Sequence, residues 1–155
     1  MQPPNLRFPT RAYLFLNRFR NGMTLGVRAA VFDDQGRIFL VRHSYVPGWY
    51  MPGGGVDKGE SMQAALRREL LEEAGIGLTG PAELFGIYWN NRASPRDHVA
   101  FYVCRDWQQR QPPPRNFEIV ESGFFPTGAL PPDTTDATRR RLEEIATGSD
   151  PAAEW

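Results

Sequence analysis

A mixed β-sheet packed between helices, an α/β architecture, is what this sequence predicts. Three observations predict it. Five runs rich in β-branched and aromatic residues recur along the chain. One long helical stretch, led in by glycines, separates the second run from the third, and another helical stretch follows the last run. The length of 155 residues suits one domain large enough to bury a core.

The first segment, residues 1–22, carries Arg7, Arg11, Arg18 and Arg20 and no acid. Tyr13, Leu14, Phe15, Leu16 and Phe19 interleave with the arginines at helical spacing, and Asn21-Gly22 ends the stretch. It reads as a basic amphipathic helix laid on the domain or on a second copy in a homodimer. A membrane-surface helix and an arginine-rich transit peptide are the competing readings. The domain proper is expected over residues 23–147, and residues 148–155 as a loose tail.

Met23 to Phe32 reads as a strand, Asp33 to Gly36 as a turn, and Arg37 to His43 as the partner strand, together a hairpin. Ser44 to Met51 is an aromatic loop punctuated by Pro47-Gly48. Glu83 to Asn90 and His98 to Trp107 read as two further strands joined by an arginine-containing loop. Gln108 to Arg115, with its three prolines, reads as a surface loop. Glu118 to Phe125 is the last strand, and Thr134 to Thr147 a helix capped by Asp133, Thr134 or Thr135.

The stretch between the second and third strands carries the chemistry. Gly53, Gly54 and Gly55 run into a helix bearing Glu69, Glu72 and Glu73, ended by Gly75. Residues three and four apart are neighbours on a helix, so Glu69 sits beside both other glutamates, an unfavourable like-charge arrangement. At 3.6 residues per turn, Met62, Ala65, Leu66, Glu69, Glu72, Glu73 and Ile76 share an arc of about 120°. The acids therefore interrupt the face that should turn inward, and Arg68 alone cannot neutralise three of them. A hard divalent cation, Mg²⁺ or Mn²⁺, would relieve the conflict.

Gly54, Glu60, Arg68, Glu69, Leu70, Glu72, Glu73, Gly75 and Ile76 together match the signature of the Nudix hydrolases without a gap, and the chain resembles that family. The resemblance implies the α/β/α sandwich of the Nudix fold. It also implies hydrolysis of a nucleoside diphosphate linked to another group, with Mg²⁺ or Mn²⁺ held by these glutamates. Carried over by position, Glu72 and Glu73 are the leading metal ligands. Glu69 is a ligand or the base that orders the attacking water, and Glu118 is a further ligand from a later strand, with Glu121 behind it. Arg68 would hold a neighbouring carboxylate by a forked hydrogen bond, and Glu60 would brace the loop and helix. The glycines let the backbone approach the substrate. Arg42 and Arg92 are candidates for holding phosphate, with Arg96 beside them, and Trp49 for stacking on a base, with Tyr45, Tyr50 and Trp89.

The marks of narrower branches are missing. No proline stands near Arg92 as in the ADP-ribose-cleaving branch, Pro95 being the nearest. The tyrosine of dinucleoside polyphosphate hydrolases is also absent there, Tyr88 lying too early, and no coenzyme A pyrophosphatase motif precedes the glycines. What is left is a nucleoside triphosphate or a nucleotide sugar. A catalytically silent Nudix domain that binds a nucleotide or a partner is the alternative from another class. An isomerase on the same fold would need a well-placed cysteine, and Cys104 lies in an apolar strand.

A formal net charge of zero argues against a nucleic-acid polymer as main partner. One cysteine leaves no intrachain disulfide and fits the reducing cytoplasm. No apolar run approaches the length of a transmembrane segment. His43 and His98, the two histidines, take no assigned role.

Overall fold

Alternation along three buried strands divides the interior into two cores, and the helices cover one each. In the computed structural model, which describes residues 22–113 and 118–155, β1 (Thr24–Val31), β2 (Ile38–His43) and β7 (Asp97–Cys104) are apolar on both faces. Val27, Ala29 and Val31 of β1, Phe39 and Val41 of β2, and Ala100, Tyr102 and Cys104 of β7 pack on Ala65, Leu66, Leu70 and Ala74 of α1 (Met62–Ala74). Their neighbours Ala30, Ile38, Leu40, Phe101 and Val103 form the opposite core with Leu142 of α2 (Asp136–Thr147). The α/β/α sandwich is thus a direct product of period-two side chains on strands with no solvent face.

Among the described residues the strands form three sheets. The largest has the order β4-β1-β7-β6, with β4 at Gly53–Gly55 and β6 at Glu83–Trp89. It is mixed, because β1 runs parallel to β7 while the other pairs are antiparallel. The second has the order β3-β2-β9, with β3 at Trp49–Tyr50 and β9 at Ile119–Phe125. A two-stranded ribbon joins β5 (Ile76–Leu78) to β8 (Trp107–Gln109).

The expected hairpin between the first two strands does not form. Its turn is as read: Asp33 Oδ1 accepts from the Gln35 and Arg37 amides, and Phe32 bridges Ile38. Beyond that bridge the strands part into different sheets, because each needs partners on both edges. β1 takes β4 and β7, and β2 takes β3 and β9. The glycines expected as a loop are therefore a short strand. Part of the expected surface loop is β8, pairing Gln109 with Ile76.

Both helices have the expected ends. Ser61 Oγ accepts from the Ala64 amide and Gly75 closes α1 in the left-handed region at φ 66°. Thr135 caps α2 and Gly148 ends it. The amphipathic segment expected over residues 1–22 lies outside the described residues except for Gly22.

The tail is not loose. Residues 150–155 strap the sandwich along β6, with the Trp89 amide donating to Ala153 O at 2.9 Å and the Trp155 amide to Trp89 O at 3.0 Å. The Trp155 ring meets Tyr88 and Phe101 edge-on. Beneath it lies Arg141, fully buried, its guanidinium 4.2 Å from the Tyr88 ring centroid. Arg141 donates to Glu144 at 2.8 Å and to Glu154 O at 3.0 Å, while Tyr88 Oη donates to the other Glu144 oxygen. A lone charge this deep would be costly; the carboxylate, two rings and strap carbonyl compensate it. Trp155→Ala should therefore lower stability by about 2–4 kcal/mol, read from the urea midpoint. A midpoint unchanged from wild type would contradict the strap.

Candidate functional site

The last turn of α1 lies against β4 so closely that only glycine fits. Glu73 Oε2 accepts from the Gly53 amide at 2.8 Å in a buried contact. Gly53 sits at φ 146°, and a Cβ there would run into the Val27 carbonyl. A Cβ on Gly54 would run into the carboxylate of Glu69. The signature glycine is thus required by a side chain fifteen residues further along the chain.

The three helix acids do not share one environment. Glu73 is buried, Glu69 largely so, and the Glu72 side chain is 59% exposed. Arg68 accounts for much of the difference. Its Nε and Nη2 fork onto the two oxygens of Glu60, both at 3.0 Å, and Nη2 also donates to Gly55 O. Its Nη1 donates to Glu69 Oε1 at 2.7 Å and only distantly, at 3.5 Å, to Glu72. The Asp57 amide completes the bracing of Glu60, and with Arg68 holds that carboxyl below its usual value. One arginine does not neutralise all three acids. Arg68 satisfies Glu69, Glu72 reaches solvent, and the unresolved charge is concentrated on Glu73.

Around Glu73 the structure gathers residues distant in sequence. His43, at the end of β2, has its Nε2 3.5 Å from Glu73 Oε1. Ligand atoms of His43, Glu73 and Glu118 all lie within 4.8 Å of one another. Tyr45 Oη donates to Glu118 Oε1 at 3.3 Å, and Arg28 donates to Met51 O at 3.0 Å. Burial pushes the Glu73 carboxyl up to about 7, with Glu69 and Glu118 adding to the rise and the Gly53 amide and Arg28 opposing it. Burial and Arg28 press the His43 imidazole below its ordinary value, against Glu118.

These residues fit a divalent cation. A buried carboxyl resisting ionisation, a nearby carboxylate and an imidazole without a hydrogen-bond partner among the described residues bring oxygen and nitrogen donors together. His43, Arg28 and the hydrogen bond from Tyr45 were not legible as site features. Only its place at the end of a strand that begins with four apolar residues hinted at His43.

A cleft of about 1200 Å³ opens beside this cluster. Gly54, Gly55 and Arg92 line it, as do Arg28, Tyr50 and Trp155. The glutamates lie behind the glycine strand, with Gly54 the element common to both. Arg42 and Trp49 do not line the cleft. Arg42 pairs with Glu121 at 2.9 Å and lies over the ring of Trp49, which is buried in the second core. Trp89 is held by its indole N–H on Pro95 O.

A mixed sheet between two helices, with glutamates of one helix packed on a glycine strand, defines the Nudix class of α/β proteins. The chain belongs to the NUDIX family: the NUDIX domain model matches residues 22–144. A putative 8-oxo-dGTP diphosphatase of Bacillus subtilis is 37% identical over 78 residues, covering 50% of this chain and 52% of that protein. An RNA pyrophosphohydrolase of Wolbachia pipientis is 40% identical over 81 residues, covering 41% of this chain and 48% of that protein. The chain thus spans about half the length of the curated relatives it matches. Among solved structures, a MutT NUDIX hydrolase from Burkholderia pseudomallei superposes with a TM-score of 0.63 at 29% identity, covering 79% of this chain and 97% of that one.

The raised Glu73 carboxyl has a consequence for stability. An acid with pKa about 7 folded and 4.5 unfolded binds more protons in the folded state between those values, so stability falls as pH rises through that window. The loss amounts to about 3 kcal/mol. His43, lowered, works in the opposite sense over its own range. In metal-free protein, the difference in stability between wild type and Glu73→Gln should therefore grow from pH 4.5 to 7 in favour of the variant. Parallel curves from denaturant melts across that range would refute it.

Proposed function

We propose that this chain is a metal-dependent pyrophosphohydrolase. Its substrate would be a nucleoside diphosphate derivative, either a nucleoside triphosphate or a nucleotide sugar. The observation that carries this reading is the convergence of Glu73 and Glu118 behind a glycine strand that also lines a nucleotide-sized cleft. The names of the relatives, a diphosphatase and a pyrophosphohydrolase, support the same reaction class.

Mg²⁺ or Mn²⁺ held by Glu73, Glu118 and the solvent-facing Glu72 would screen phosphate charge and make a bound water more acidic. Glu69, held by Arg68 beside Gly54, would serve as a further ligand or as the base that orders the attacking water. Arg68 and Glu60 tie the helix to the loop, and Arg68 holds Glu69 beside Gly54. Arg28 and Arg92, both lining the cleft, supply positive charge for phosphate oxygens, and Tyr50 and Trp155 supply aromatic surface for the remainder. Water adds across the anhydride, giving two phosphorylated products: a nucleoside monophosphate with pyrophosphate or with a sugar phosphate.

A panel of nucleoside triphosphates, nucleotide sugars and a 5′-triphosphorylated oligonucleotide, each with Mg²⁺ and with Mn²⁺, tests this reading and names the substrate. Hydrolysis in H₂¹⁸O should place the label in one phosphorylated product. Glu73→Gln should lower turnover by about a hundredfold or more while the circular dichroism stays that of wild type. Absence of product across the panel would leave a silent nucleotide-binding domain. Wild-type turnover in the variant would remove Glu73 from the mechanism.

A further inference from the structure

His43 is the residue of the cluster that a glutamate-based site does not need. It closes β2, where its ring packs against Tyr45 and Tyr50 with centroids 5.1 and 5.9 Å away. Only 5% of it is exposed, and among the described residues neither ring nitrogen has a hydrogen-bond partner. Buried imidazoles ordinarily engage at least one nitrogen, as donor or acceptor. Here the ring packs on two tyrosine rings and is directed at carboxylates, with Nε2 3.5 Å from Glu73 Oε1, outside hydrogen-bond geometry. That separation is too long for a shared proton and leaves room for an ion that bonds to both sides.

We propose that His43 Nε2 is a ligand of the same divalent ion that Glu73 and Glu118 hold, making a mixed nitrogen–oxygen site. This rests on the reading of Glu73 and Glu118 as metal ligands. Its consequence is selectivity. Mg²⁺ takes oxygen donors in strict octahedral geometry, whereas imidazole suits the first-row transition ions. The site therefore favours Mn²⁺, Co²⁺ or Zn²⁺ over Mg²⁺, and the buried nitrogen is the cause.

The experiment is electron spin-echo envelope modulation on untagged full-length protein loaded with Mn²⁺, which detects a directly bonded ¹⁴N nucleus without any turnover. With two histidines in the chain, the assignment needs only His43→Gln and His98→Gln. Wild type and His98→Gln should show the nitrogen modulation, and His43→Gln should lose it. In His43→Gln the Mn²⁺ affinity should fall by about tenfold or more, with Mg²⁺ affinity within about threefold of wild type. Bound Mn²⁺ without nitrogen modulation in wild type would overturn the proposal and leave the hydrolase reading intact. So would an unchanged Mn²⁺ to Mg²⁺ ratio in a folded His43→Gln. Failure of wild type to bind Mn²⁺ at all would instead sink the reading of Glu73 and Glu118 on which the proposal stands. Because the wild-type spectrum needs no variant, an unfolded His43→Gln does not spare the proposal.

Discussion

The hydrogen bond from the Gly53 amide to buried Glu73 is the contact on which the rest of the site depends. It ties the last turn of α1 to the edge of the main sheet. The tie works only because the strand has no side chains. At Gly53 a Cβ would meet the neighbouring strand, and at Gly54 it would meet Glu69. Helix acids and strand glycines are therefore one steric unit. The fixed spacing between them in the sequence measures the arm that folds back from strand to helix.

The layering of this fold was legible because alternation survives burial. Odd residues of β1 face one helix and Ala30 faces the other, so the apolar runs announced strands enclosed on both sides. The same enclosure defeated the expected hairpin, since a central strand is partnered by whatever lies beside it in space. Strands as short as β3 to β5 and β8 carry too few residues to show a period. The tail misled for a different reason. Gly148, Ser149, Asp150 and Pro151 read as disorder-prone, and the partners that hold Trp155 (Tyr88, Phe101 and Arg141) are scattered over the chain.

At the candidate site, legibility followed sequence distance. Residues on a single helix, Arg68 to Glu73, could be arranged by counting turns, and the glycines stood next to them. Counting turns nevertheless overstated their unity. A shared arc of about 120° spans the range from core to solvent, and Glu73 and Glu72 lie at its two ends in exposure. His43, Arg28 and Tyr45 come from other strands and loops, and no local pattern marks a residue whose neighbours are supplied by β pairing. Arg42 and Trp49 illustrate the converse, since Arg42 pairs with Glu121 and lies over the Trp49 ring.

Cys104 ends β7 opposite Val31, at the seam where β1 and β7 run parallel and the helix-facing core closes over them. It is the one thiol in the chain, 1% exposed, and burial pushes it up to about 12. A thiolate is the reactive species, so an alkylating reagent meets nothing to attack while those strands stay together. Each modification event would record one opening of the core around Cys104. The protein thus carries, without engineering, a covalent reporter of the opening of its own core, read by mass at a single position.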